Sequence, residues 1–383
     1  MSTLITGISE LWTVEDAPIR DAALVIDGDT VAWTGSAQSA PDADERVDVG
    51  GRAVLPGWVD SHTHLVFDGD RSAEFEARMA GRGYAAGGIA VTTDATRAAS
   101  DERLRQLVGQ RVREAQRGGT TCLETKTGYG LTVDDEARAA RIAREFVDEV
   151  TFLGAHLVPD GVSPDEYVAL VTGEMLEAVR PHVAWMDVFC EEGAFDVEQS
   201  RRVLKAGQAA GLGLRVHGNQ LGESGGVQLA VELGAASVDH VNFLSDDDVE
   251  ALAASDTVAT ALPACDLSTR MPFAPVRRLL DAGATVAIAS NCNPGTSYTS
   301  SMNFCVGTAV LQQHLTLDEA IRAATIGGAK ALRRTDVGQL APGFRADIHV
   351  LDAPAAIHLA YRPGMPLTHQ VWHAGKQIVR PNS

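Results

Sequence analysis

Cysteine is sparse and scattered. Cys122, Cys190, Cys265, Cys292 and Cys305 are the five in 383 residues, with no CxxC pair among them. An odd number at that density excludes the disulfide framework of a small secreted domain and fits a reducing, cytoplasmic setting. Basic residues are outnumbered, 32 Lys and Arg against 51 Asp and Glu, for a formal net charge of -19, and no Lys/Arg cluster interrupts the acidity. That balance excludes nucleic acid and anionic membrane surfaces as partners and leaves small anionic substrates open, because a site can be locally positive inside an acidic shell. Long apolar runs are missing too. No stretch of about 18 apolar residues is present to span a bilayer, and MSTLITGISELWTVEDAP has neither the basic start nor the apolar centre of a signal peptide, so a soluble intracellular chain is expected. Aromatics are scarce at 5%, with five tyrosines in all, and no low-complexity tract suggests disorder.

What is present is ordinary globular composition, 45% hydrophobic and 22% charged. The length suits one large α/β domain with a small accessory one. The first fifty or so residues hold short alternating segments, LITGISELWTV, AALVIDGDTVAWTG and ERVDVGGRAVLPG, separated by Gly/Asp turns. The chain end returns to that style in VGQLAPGFRADIHVLDAP and in VWHAGKQIV, which reads as a hairpin around Ala374 and Gly375. Residues 1–55 and 337–383 are therefore expected to meet in one β-sandwich.

Residues 56–336 alternate short apolar or β-branched runs with long helical stretches, the pattern of repeated βα units. The runs are VLPGWVDSHTH, TTCLETKTG, EVTFLGAHLV, HVAWMDVFCEE, LGLRVHGNQ, ASVDHVN, TVATALPA and TVAIASNCN. Eight parallel strands is the number that closes a barrel, so the expected fold is α/β, a (β/α)8 TIM barrel with the small β-sandwich beside it. The intervening helices, such as SDERLRQLVGQRVREAQRGG and TVDDEARAARIAREF, read as amphipathic with solvated charge runs.

His62-Thr63-His64 ends the first barrel strand. Residues two apart on a strand point the same way, so both imidazoles converge at the catalytic mouth. His217 in LRVHGN and His240 in SVDHVN end the fifth and sixth strands, and all strand ends of a parallel barrel face one mouth. Four histidines from three strands can surround one metal ion. One or two structural histidines would not need that placement. His182, His314, His349, His358, His369 and His373 fall on helices, loops or the β-sandwich and read as structural or surface residues.

This constellation resembles the amidohydrolase superfamily. The flanks HLVFDGDRSAEFEARMAG, KTGYGL, FLGAHLVP, DVFCEEGAF, VHGNQL and NCNPGTS, with the closing VGQLAPGFRADIHVLD, are similar to the imidazolonepropionase family over nearly the whole chain. The resemblance implies a metal-dependent hydrolase that opens the cyclic amide of 4-imidazolone-5-propionate to N-formimino-L-glutamate, in histidine degradation, as a cytoplasmic homodimer. It implies one divalent ion, Zn(2+), with Fe(2+/3+) or Ni(2+) as alternatives, on His62, His64, His217 and Asn291. His240 and Gln220 would act beside the reacting water. Arg71, whose planar fork suits a carboxylate, with Tyr84, Tyr129, His156 and Asn293, would hold the imidazolone carboxylate substrate. Asp266 and Arg270, after strand seven, read as a salt-bridged loop.

The chain departs from that pattern at one place. Asn291 stands where the family carries an Asp that ligates the metal and takes the proton from water, and an amide has essentially no basicity. Gln220, likewise, can position a group and cannot take a proton. Alternatives follow: His240 serves as base in a slower hydrolase, a divergent paralogue acts on a related imidazolone by altered or non-hydrolytic chemistry, the change traps a ligand, or the chain is a catalytically dead ligand-binding protein.

Overall fold

The computed structural model describes residues 1–81 and 88–380. The chain divides into two compact units, one of Met1–Asp60, Arg113–Cys122 and the chain from Ser301 onward, the other of Ser61–Val112 and Leu123–Ser300.

The strands are β1 (Ser2–Leu11), β2 (Ile19–Asp27), β3 (Thr30–Ser36), β4 (Glu45–Pro56), β5 (Trp58–Asp60), β6 (Thr120–Lys126), β7 (Glu149–Ala155), β8 (Trp185–Cys190), β9 (Gly213–Gly218), β10 (Ser237–His240), β11 (Val258–Ala261), β12 (Val286–Ile288), β13 (Ile348–Leu351), β14 (Thr368–His373) and β15 (Lys376–Val379). The two chain ends meet as expected: β15, β14, β13, β4, β1, β2 and β3 are hydrogen-bonded in that order, with β13 antiparallel to β4. They enclose a core that includes Ile5, Ile8, Leu11, Leu24, Val54, Ile348, Val350 and Trp372, the small β-sandwich. The hairpin between β14 and β15 turns on Ala374 (φ 47) and Gly375 (φ 73). Positive φ at both turn residues matches the right-handed twist of the flanking strands. A side chain at the second would meet the Gly28 carbonyl oxygen at 2.1 Å, so glycine is required there.

The eight apolar runs become β5 to β12, neighbours in sequence order in one sheet. Every residue of β6 and of β8 is buried, as expected of parallel strands covered on both faces. The sheet closes where Thr63 bridges Cys292 in parallel, with His64 N donating to Cys292 O at 2.9 Å and Asn291 N donating to His62 O at 3.0 Å. That closure is what sets the ends of the first and eighth strands side by side at one mouth. Helices follow the strands from capped starts. Ser163 with Glu166, Asp196 with Gln199 and Ser245 with Asp248 each form a reciprocal capping box that satisfies two otherwise unpaired backbone N–H groups.

Two charges in the helices expected to be solvated are instead turned inward. Arg111 is 4% exposed; its Nη1 donates to the carbonyls of Leu65 and Phe67, both at 2.7 Å. Glu136 is 0% exposed. Periodicity locates the apolar stripe of a helix and is silent about a charge that reaches across it to a loop. Among the described residues, no helix is long and apolar enough to cross a membrane.

Candidate active site

The mouth of the barrel holds a cleft lined from seven strand ends by His64, Tyr129, His156, Phe189, His217, Gln220, His240 and Asn291, with Arg71, Ile89, Asn293 and Thr296 from loops and helices. Among the described lining residues none is a carboxylate.

The His62 and His64 side chains emerge on either side of the paired Thr63, and their Nε2 atoms lie 3.3 Å apart. The ligand atoms of His62, His64 and His217 all lie within 4.8 Å of one another. Two nitrogens bound at about 2.0–2.1 Å to one tetrahedral ion would sit roughly 3.4 Å apart, so the spacing of the first pair fits a shared metal. Burial pushes the His62, His64 and His240 imidazoles well below the usual histidine range, with neighbouring Lys126, His62 and His217 respectively adding to the effect. The rings are therefore neutral, the form in which histidine binds metal.

Carboxylates behind the rings fix which nitrogen faces forward. His62 Nδ1 donates to Asp239 Oδ2 at 2.7 Å, and His217 Nδ1 faces Asp187 Oδ2 at 3.0 Å. With the proton held at Nδ1, His62 presents its Nε2 lone pair to the centre, and Asp187 sets a negative charge beside the His217 ring. Burial raises the Asp239 carboxyl, but Arg215, His62 and Lys126 outweigh it and hold it well below the usual carboxylate range. The same contest, burial against His217 and Lys126, holds Asp187 low. Lys126 Nζ lies 2.9 Å from Glu124, 3.1 Å from Asp187 and 3.8 Å from Asp239, and Arg215 lies 3.3 Å from Asp239. Three carboxylates against two cations leave one net negative charge beneath the imidazoles, the sign that favours a cation above them. His217 Nε2 and Asn291 Oδ1 are buried without a hydrogen-bond partner. A buried imidazole nitrogen and a buried amide oxygen left without partners are what a divalent ion would satisfy, so the residues present fit the metal.

His240 stands beside this set, its ring 5.5 Å from that of His217 and 5.8 Å from that of His62. His240 (φ 86) and Val241 (φ 50) both adopt left-handed backbone, strain of the kind found at functional sites. Asn291 is also left-handed at φ 51, a conformation that Asn and Asp tolerate better than other non-glycine residues. The Cys265 side chain hydrogen-bonds that of Asn291. Asn291 Oδ1 itself has no hydrogen-bond partner, which leaves it free for the metal.

The remaining residues fall as follows. Arg71 precedes the helix Ser72–Met79 and spends its Nε and Nη2 edge on Glu74, at 2.8 Å each, so it meets the cleft with its other N–H groups and not with the whole fork. A Cβ on Gly295 would lie 2.3 Å from Arg71 Nη1, so only glycine admits the guanidinium here. Tyr129 follows β6, its ring 6.1 Å from His64 and 5.4 Å from His156. His156 stacks on His64 at 5.6 Å and 21°, and burial lowers its pKa to about 4. Gln220 reaches the cleft while its backbone N–H donates to Glu191, whose carboxyl burial pushes up to about 7. Asn293 uses its amide internally: Oδ1 accepts from Gly295 N and Thr296 N, and Nδ2 donates to Asn291 O and Thr296 Oγ1. It shapes the loop and has no spare polar atom for a ligand. Tyr84 lies outside the described residues. Asp266 is buried in the helix Pro263–Thr269 and binds Asn242 at 2.6 Å, with no ion pair to the exposed Arg270 among the described residues. A buried acid here finds a neutral amide across the strand ends, which the loop's own sequence could not indicate.

Sequence reasoning missed Lys126, Asp187, Arg215, Asp239 and Cys265. The available signal was a charge inside an otherwise apolar buried strand, as in WMDVFC and SVDH.

Residues 53–377 match the amidohydrolase family model. An imidazolonepropionase of Micrococcus luteus is 68% identical, with 99% of this chain and 100% of that protein covered. Those of Paenarthrobacter aurescens and Saccharopolyspora erythraea are 64% and 66% identical over 98% or more of each chain. This chain belongs to the imidazolonepropionases of the amidohydrolase family. Among solved structures, a zinc complex of the atrazine chlorohydrolase TrzN from Arthrobacter aurescens superposes with TM-score 0.74 at 20% identity, over 99% of this chain and 96% of that one. An adenosine deaminase from Xanthomonas campestris with bound zinc gives 0.75 at 19%, over 99% and 93%. At that identity they establish the shared fold. As a member of the family the chain is a hydrolase with a site for a divalent metal, and its first and fifth strands supply the histidines that would hold it.

Proposed function

We propose that this chain hydrolyses the ring amide of 4-imidazolone-5-propionate, giving N-formimino-L-glutamate, with zinc on His62, His64, His217 and the Asn291 carbonyl oxygen. The observation that carries the reading is the convergence of three buried imidazoles, with Asp239 behind His62 and Asp187 beside His217, in a chain related over nearly its full length to imidazolonepropionases. When bound, the metal supplies a Lewis acid that makes water nucleophilic near neutral pH and polarises the amide carbonyl. The protein's own residues do the rest. His240 is the non-ligand imidazole beside the metal set and takes the proton that Asn291 cannot. Tyr129, His156 and Arg71 hold the ring and its carboxylate, and Gln220 orients a polar group without changing its protonation. Ile89 and Phe189 give the cleft its apolar walls.

The test is to incubate the metal-loaded protein with 4-imidazolone-5-propionate and identify the product by mass spectrometry. Gain of one water and loss of the ring supports hydrolysis. A product isomeric with the substrate would instead support altered chemistry on the same scaffold, the reading favoured by Asn291 and by the absence of a carboxylate among the described lining residues.

A further inference from the structure

Glu136 lies near the start of the helix Val133–Ala143 and is wholly buried. No ion pair to it is found among the described residues. Its carboxylate is satisfied by one loop instead: Oε1 accepts from Gly130 N at 2.7 Å and Leu131 N at 2.8 Å, and Oε2 accepts from Gly128 N at 3.0 Å. This is the loop that carries Tyr129 into the cleft. Two of its residues, Gly128 (φ 110) and Leu131 (φ 55), are in left-handed backbone, a shape the loop would not keep without an anchor.

The same loop reaches a second side chain. Gly128, whose N–H is held by Glu136, accepts from His156 Nδ1 at 2.9 Å through its carbonyl oxygen. A carbonyl can only accept, so the His156 proton sits on Nδ1 and Nε2 carries a lone pair. The ring is stacked on His64 and lines the cleft. What it offers a ligand is therefore an acceptor, and it reads an N–H.

We propose that Glu136 is a positioning residue: its carboxylate fixes the 127–131 loop and, through the Gly128 carbonyl, holds His156 in the tautomer that selects ligands bearing a ring N–H. The substrate part of this rests on the function proposed above. A carboxylate is suited to the task because its two oxygens accept from three backbone N–H groups, whereas a glutamine keeps one oxygen and turns an NH2 group toward the Gly128 N–H.

The experiment compares the metal-loaded wild type with Glu136→Gln. The expected result is a rise in KM for the imidazolone of about tenfold, the scale of a lost charge-assisted hydrogen bond, with kcat within about threefold and metal content unchanged. In 15N-labelled protein, His156 should be protonated at Nδ1 in the wild type and a mixture of tautomers in the variant. Calorimetry should show the wild type binding a non-hydrolysable imidazolone analogue at least about tenfold tighter than its N-methylated form, and the variant losing that preference. Unchanged KM and tautomer in Glu136→Gln would overturn the proposal. So would a wild-type His156 protonated at Nε2, a measurement that stands even if the variant does not fold. Failure of the wild type to turn over the imidazolone, with the tautomer and the N-methyl discrimination as expected, would count against the proposed substrate and leave the role of Glu136 supported.

Discussion

At the scale of single residues, the site is defined by two amides where acids might stand. Asn291 and Gln220 face the cleft and neither can take a proton, so the proposed hydrolysis assigns proton transfer to an imidazole. His240 is the candidate: buried, beside the three converging histidines, and on strained backbone. His240→Gln is expected to lower kcat by about 10²–10⁴-fold with metal content unchanged, the size of a lost general base. Loss of the metal along with activity would instead make His240 a ligand. His62, His64, His217 and His240 were legible from sequence because each ends an apolar run and strand ends share one mouth. The use of Arg71 by Glu74, and of Asn293 by its own turn, was not, because a side chain's competing partners are set by the fold and not by its position in a motif.

At the scale of elements, the strands deliver the ligands and the charges behind them together. His217 on β9 and Asp187 on β8 come from neighbouring strands, and Asp239 on β10 reaches His62 across the closed sheet. The eight strands could be read off the chain because parallel strands buried on both faces are written as apolar runs. Lys126, Asp187, Arg215 and Asp239 could not be assigned, since a buried charge is explained only by partners on other strands. Glu136 was hidden for a similar reason, its three backbone donors lying in the preceding loop. Asp239→Asn keeps the shape but offers an amide to His62 Nδ1 and removes a charge from the cluster. It is expected to weaken metal binding by about 10–100-fold in chelator competition, the usual effect of losing a carboxylate behind a ligating histidine. An unchanged affinity would mean that the imidazole is held by its packing alone.

At the scale of the whole molecule, a chain of net charge -19 carries a barrel mouth lined by imidazoles and amides over a buried cluster of one net negative charge. Metal binding there is linked to folding, because an ion that binds only the folded state stabilises it by mass action. On the proposed function, hydrolysis depends on a metal held by His62, His64 and His217. That dependence is read by titrating metal-free protein with Zn(2+) while following turnover of 4-imidazolone-5-propionate and the thermal midpoint in parallel. Both are expected to rise together and level off at about one ion per chain, and His217→Ala is expected to abolish both responses. Full turnover by the metal-free protein, or metal binding that survives His217→Ala unchanged, would contradict it.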